Sequence, residues 1–204
     1  MQEATQDQTI ISQDEVLEIF RSQDAILEGH FILSSGLHSP VFLQKALVYR
    51  SPAKTERLCK ALAAKVRASD LGPIDCIIAP AMGGIVPGYE TARHLDVPYM
   101  WVEREDGAFA LRRGFTLKKG ERVLIVEDII STGLSVGEAA TSIRALGGDV
   151  IGCACIIDRS AGEADIGMPL VALANYKVPA YRAEDLPENL KALPAYKPGS
   201  RGLA

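Results

Sequence analysis

Apolar residues recur at helical spacing near the start of the chain. Val16, Ile19 and Phe20 follow Ser12-Gln-Asp-Glu15, in which a serine and a glutamate three apart have the spacing of a capping box. The pattern predicts a helix from about Ser12. Ser51-Pro52 repeats the signal with a serine cap and proline at the first helical position, ahead of Leu58, Ala61, Leu62 and Val66. This second helix should stop before Leu71-Gly72-Pro73. Short apolar runs and helical patterns then alternate, predicting strands over 74–79, 98–102, 122–126 and 149–157, with helices over 87–95 and up to 146. Gly147-Gly148 closes the last helix, because glycine takes the left-handed position after a helix without penalty.

The strand runs are continuously apolar instead of alternating, as expected of strands covered on both faces. The predicted fold class is therefore α/β, a mainly parallel sheet flanked by helices. Two segments fall outside that core. Residues 26–48 read as strands with a serine- and glycine-rich turn, forming a small hood beside the sheet. Residues 177–204 carry Pro179, Pro187, Pro194 and Pro198 and read as a strand or short helix plus a tail. Residues 1–11 are polar, lack periodicity and are expected to be flexible; no internal repeat is present, and the whole of 1–204 is expected to form one domain.

A chain of 204 residues with 48% hydrophobic content can bury one sizeable core. Its formal charge of −4 argues against a general nucleic-acid or membrane-surface binder, so an anionic ligand must be held locally. The apolar stretches are far short of the ~20 residues needed to cross a bilayer. The first residues carry Glu3 and Asp7 and lack a secretion signal's basic-then-apolar order, so a cytoplasmic location is expected. Cys59, Cys76, Cys153 and Cys155 show no CxxC spacing and read as buried thiols, with Cys153 and Cys155 on one face of a strand.

The sharpest chemical signal is the run from Arg122 to Gly133, where an apolar strand ends in two adjacent carboxylates, Glu127 and Asp128, and the chain passes through Ser131 and Thr132 into a helix. In an open parallel sheet the ligand lies at the carboxyl ends of strands, and the next helix N-terminus offers free N–H groups to a phosphate. The acids can accept hydrogen bonds from a sugar diol, and the hydroxyls can donate to the phosphate. Response-regulator receivers also open with a strand ending in acids, but near the start of the chain; here the strand begins two-thirds along. A second loop, Ala79 to Gly88, follows another apolar strand, and Gly83 and Gly84 would let backbone N–H groups approach an anion. Between the two, residues 101–115 contain Arg104 and Arg112, and 111–122 carry five basic side chains against one acid.

Strand, acid pair and Ser-Thr-Gly in this order resemble the phosphoribosyl pyrophosphate motif of type I phosphoribosyltransferases. The hood sequence from Gly29 to Pro40 with Phe42, and Ile157-Asp-Arg159, resemble the orotate-specific members, the likeness running from about Ile26 to Ser200. The resemblance implies the type I phosphoribosyltransferase fold and formation of orotidine 5′-monophosphate in pyrimidine biosynthesis. It implies that phosphoribosyl pyrophosphate is held by Gly83, Gly84, Arg104, Glu127, Asp128, Ile129, Ile130, Ser131, Thr132, Gly133, Leu134 and Ser135. Orotate would meet Ser34, Ser35, Gly36, Ser131 and Arg159, whose guanidinium suits the orotate carboxylate. Catalytic roles fall to Arg104, Arg112, Glu127 and Asp128. Magnesium would be the cofactor, held mainly by substrate and water with no ligand directly from the protein, and a homodimer is implied. The long-loop members carry lysines where this chain has Ser34 and Gly83, and another in the mobile loop. No lysine occurs here between Lys65 and Lys118, so the short-loop pattern assigns the cationic role to Arg104 and Arg112. A purine-type phosphoribosyltransferase and a non-catalytic sensor of phosphoribosyl pyrophosphate are the alternatives. No helix-turn-helix pattern accompanies the domain.

Overall fold

A computed structural model describes residues 10–33 and 35–198; the expectations for residues 1–9, Ser34 and the end of the tail lie outside the described residues. The first helix, α1 (Gln13–Arg21), starts as its sequence dictates, with Ser12 Oγ accepting from the Glu15 N–H and the Glu15 carboxylate accepting from the Ser12 N–H. Strands β1 (Ile26–Ile32) and β2 (His38–Leu43) pair antiparallel to form the hood, followed by a one-turn helix α2 (Ala46–Tyr49) that the pattern did not reveal. Helix α3 (Pro52–Arg67) leads to β3 (Cys76–Pro80), α4 (Ile85–Leu95), β4 (Tyr99–Glu105) and β5 (Ala108–Leu111). Then come β6 (Arg122–Ile130), α5 (Leu134–Ala145), β7 (Asp149–Asp158) and β8 (Leu170–Asn175). The C-terminal part adds a short α6 (Glu188–Lys191) and β9 (Ala195–Tyr196).

The main sheet has the order β5-β4-β3-β6-β7-β8, parallel except for the β4–β5 hairpin at one edge. Successive residues face opposite layers, as the strand period requires. Ile77, Leu124, Val126 and Ile156 pack with α1 and α3, while Cys76, Ile78, Val123, Ile125, Cys153 and Cys155 pack with α5. All four cysteines are buried and free.

Two sequence expectations change. The acid pair does not end its strand: β6 continues to Ile130, because Ile129 and Ile130 extend the ladder opposite Ile157 and Asp158. Strand β8 was not foreseen; a five-residue apolar run without clear alternation reads equally well as buried helix. At the helix end, Gly147 takes φ +94° as expected.

Chain order reverses at β3, with β4 on one side and β6 on the other. The crevice at their carboxyl ends is the switch point where open α/β sheets bind ligands. Close packing of α4 on this region depends on Gly88, where a Cβ would stand 2.8 Å from both Ala79 Cβ and Tyr99 Cε2. Gly88→Ala is expected to destabilise the protein by about 1 to 2 kcal/mol, overpacking outweighing the ~1 kcal/mol gain in helix propensity. Thermal unfolding should show this as a lower Tm, and an unchanged or higher Tm would contradict the packing account.

The hood becomes a three-stranded sheet, β2-β1-β9, because β9 lies parallel to β1 with Phe31 opposite Tyr196. Its other edge is held where His38 bridges Tyr181 and Ser39 Oγ donates to the Pro179 carbonyl at 3.2 Å. Inside it, His30 Nε2 and His38 Nδ1 are 2.6 Å apart, and His30 Nδ1 is 3.1 Å from the Leu193 carbonyl. The two histidines thus tie the hood strands to each other and to the C-terminal segment.

Candidate active site

A cavity of about 380 Å³ opens between the carboxyl ends of β3 and β6 and the hood. Its floor is the acid pair. Asp128 is fully buried and Glu127 nearly so. Glu127 Oε1 accepts from the Asp128 N–H at 3.0 Å, and Asp128 Oδ1 accepts from the Ile129 N–H at 2.5 Å. Burial, and then the neighbouring Asp128 charge, push the Glu127 carboxyl well above the ordinary carboxylate range. Lys45 Nζ donates to Asp128 Oδ1 at 2.9 Å and lies 2.8 Å from Oδ2. Burial pulls the Lys45 ammonium down, but Asp128 and Glu127 outweigh it and hold it above its usual value. Asp128 Oδ2 is buried and meets only the Lys45 ammonium among the described residues, so it keeps a lone pair available to a hydroxyl.

Beyond the acids, Ser131 to Ser135 line one wall at the N-terminus of α5. Gly133 sits at φ +77°, and a Cβ there would lie 2.4 Å from Ile166 Cγ2, so the turn that presents this helix end admits only glycine. No side chain of the cap residue covers the first-turn N–H groups; Leu134 N–H makes a long 3.4 Å contact to Thr132 Oγ1. These groups and hydroxyls form a cradle for an anion.

The two glycines of the preceding loop differ. Gly83 lines the cavity, and a Cβ on it would meet Asp128 Oδ2 at 2.1 Å. Gly84, expected beside it as an anion donor, is turned away: its N–H donates to the Pro80 carbonyl at 3.1 Å, and a Cβ would stand 2.9 Å from the Pro80 and Val126 carbonyls. Its smallness serves packing.

The arginines separate likewise. Arg104 lines the cavity, pairs with Glu138 on α5, donates to the Gly107 carbonyl at 2.9 Å and lies 4.4 Å over the Phe109 ring. Arg112 is not brought in; it follows β5 and pairs with Glu105 across the hairpin at 3.3 Å, outside the cavity lining.

At the hood end, Ser35 lines the cavity, Gly36 makes the turn at φ +83° without lining it, and Ser34 lies outside the described residues. Arg159, just after β7, reaches this end with Nη2 donating to Ser39 Oγ at 3.3 Å. Its Nε is buried without a partner, and among the described residues no carboxylate pairs with it. Burial lowers its affinity for the proton, partly offset by Tyr176. A half-buried guanidinium without an anion is a site for one. Sequence reasoning missed several cavity residues, among them Lys45, a lone lysine after the hood strand, and Pro198, just past β9.

An acid-pair floor beside an open helix N-terminus at a parallel-sheet switch point defines a class, and comparison with known proteins gives the same one. Residues 49–177 match the phosphoribosyl transferase domain, and the chain belongs to that family. Within it the chain falls among the orotate phosphoribosyltransferases: it is 61% identical over 190 residues to the orotate phosphoribosyltransferase of Brucella ovis, covering 93% of this chain and 98% of that one. The crystal structure of orotate phosphoribosyltransferase from Aeropyrum pernix superposes with a TM-score of 0.67 at 25% identity, over 78% of this chain and 93% of that one. The adenine phosphoribosyltransferase of Thermoanaerobacter pseudethanolicus shares the fold, with a TM-score of 0.57 at 20% identity over 67% of this chain and 88% of that one. The fold alone therefore does not choose the base.

Proposed function

We propose that this protein transfers the phosphoribosyl group of phosphoribosyl pyrophosphate to orotate, releasing pyrophosphate and forming orotidine 5′-monophosphate, a step of pyrimidine biosynthesis. The observation that carries the choice of base is Arg159. A neutral purine gives no return for holding an uncompensated guanidinium at the hood end, whereas orotate brings a carboxylate that accepts two parallel charged hydrogen bonds.

The 5′-phosphate rests in the α5 cradle with Ser131, Thr132 and Ser135, while Glu127 and Asp128 accept the ribose hydroxyls. The bond from the anomeric carbon to the pyrophosphate oxygen breaks as a bond from the orotate ring nitrogen forms, and the nitrogen's proton is released. Positive charge develops on the sugar above the buried acids, which offset it without reorganising. Arg104, once freed from Glu138, supplies charge toward the leaving group from the hairpin side. Magnesium fits this donor set as an ion carried by pyrophosphate and water, because Asp128 Oδ1 is already engaged by Lys45 and the Ile129 N–H, leaving no cage of protein ligands. When bound it offsets the negative charge of the pyrophosphate.

Pairing of two copies is supported by exposed Met82, Val86 and Tyr89 on and before α4. Among the described residues no helix is long and apolar enough to cross a membrane, which accords with work in the cytoplasm. The test is the fall in orotate absorbance with purified protein. Loss that requires both magnesium and phosphoribosyl pyrophosphate is expected; turnover of adenine or hypoxanthine with orotate untouched would overturn the reading.

A further inference from the structure

The cavity poses an electrostatic difficulty. Pyrophosphate must leave across a floor that carries two carboxylates, and the arginines assigned by sequence are engaged elsewhere, Arg104 by Glu138 and Arg112 by Glu105. The preceding loop cannot contribute a side chain at Gly83, since Asp128 Oδ2 would lie 2.1 Å from its Cβ. That same point in space is 3.1 Å from Lys45 Nζ. Lys45 arrives from the hood side, at the start of α2, and lines the cavity with its side chain 37% exposed, whereas its partner Asp128 is 1% exposed. An ammonium has three donors. Asp128 occupies one by hydrogen bond and approaches a second, which leaves one for a ligand.

We propose that Lys45 is a catalytic residue, the cation that meets the pyrophosphate of the bound substrate in the space closed to a side chain at Gly83. This rests on phosphoribosyl pyrophosphate being the substrate. The ion pair with Asp128 then has two tasks. It keeps the ammonium aimed into the cavity before substrate arrives, and it cancels the Asp128 charge that would otherwise repel the phosphates.

Calorimetry separates this role from a structural one. In Lys45→Met, affinity for inorganic pyrophosphate with magnesium should fall about tenfold or more and kcat about a hundredfold, while ribose 5-phosphate affinity stays within about threefold. Lys45→Arg should restore part of the pyrophosphate affinity. If Lys45→Met does not fold, Lys45→Gln, which keeps a donor to Asp128 but no charge, should show the same split. Pyrophosphate affinity unchanged within about twofold would overturn the proposal. Equal loss of both ligands would do so too, by making Lys45 a support for Asp128. A wild-type protein that binds pyrophosphate but leaves orotate untouched would refute the proposed reaction, while the pyrophosphate comparison would still decide Lys45.

Discussion

Asp128→Asn should lower kcat for orotate by about a hundredfold, equivalent to ~3 kcal/mol of transition-state stabilisation, with Tm nearly unchanged. Breaking a fully buried ion pair costs about 3 to 5 kcal/mol, because one charge is stranded. Here the partner left behind is Lys45, 37% exposed, and it can turn to solvent. Asparagine has the shape of aspartate, so it does not press on the Gly83 backbone, where space is already closed. Removing the charge also relieves Glu127, whose carboxyl is pushed up by burial and then by Asp128. These effects oppose the lost ion pair in stability. They do not restore function, since the amide can replace the open Oδ2 acceptor by a donor. Steady-state assay and scanning calorimetry together decide the matter: an unchanged rate would remove Asp128 from the chemistry, and a collapse of Tm would make its role structural.

Arg159→Gln should raise the KM for orotate by about a hundredfold, in keeping with the ~1.5 to 3 kcal/mol of a charge-assisted hydrogen bond, while the KM for phosphoribosyl pyrophosphate stays within about twofold. Stability should move the other way. Burial lowers the guanidinium's affinity for its proton, so at neutral pH the folded state holds a charge it disfavours relative to the unfolded chain. Replacing it should leave Tm equal or higher. A variant that binds orotate normally would detach Arg159 from the base, and equal losses for both substrates would point to a disturbed hood.

Much of this was legible along the chain because the signals are local. The Ser12 capping box, the Ser51-Pro52 start, the Gly147 stop and the apolar runs each arise within a few neighbouring residues, and the acid pair and Gly133 turn share one segment. What escaped depends on separation. Lys45 and Asp128 are 83 residues apart, and nothing near either announces the other. The hairpin register, with Arg104 opposite Phe109 and Val102 opposite Leu111, sends Arg104 inward and leaves Arg112 past the end of the strand. Composition marks both as basic but does not fix that register. Gly83 and Gly84 look equivalent in sequence and diverge only because one faces the cavity and the other the carbonyls of Pro80 and Val126.

The parallel addition of β9 to the hood has a practical corollary. Continuing its register past Tyr196 brings Pro198 alongside Leu33, and both line the cavity. An affinity handle or surface tether attached at Pro198 would therefore start from the cavity wall. One attached at the start of α1 would sit beside Asn175 on the edge strand β8, where Gln13 accepts its N–H, and neither residue lines the cavity.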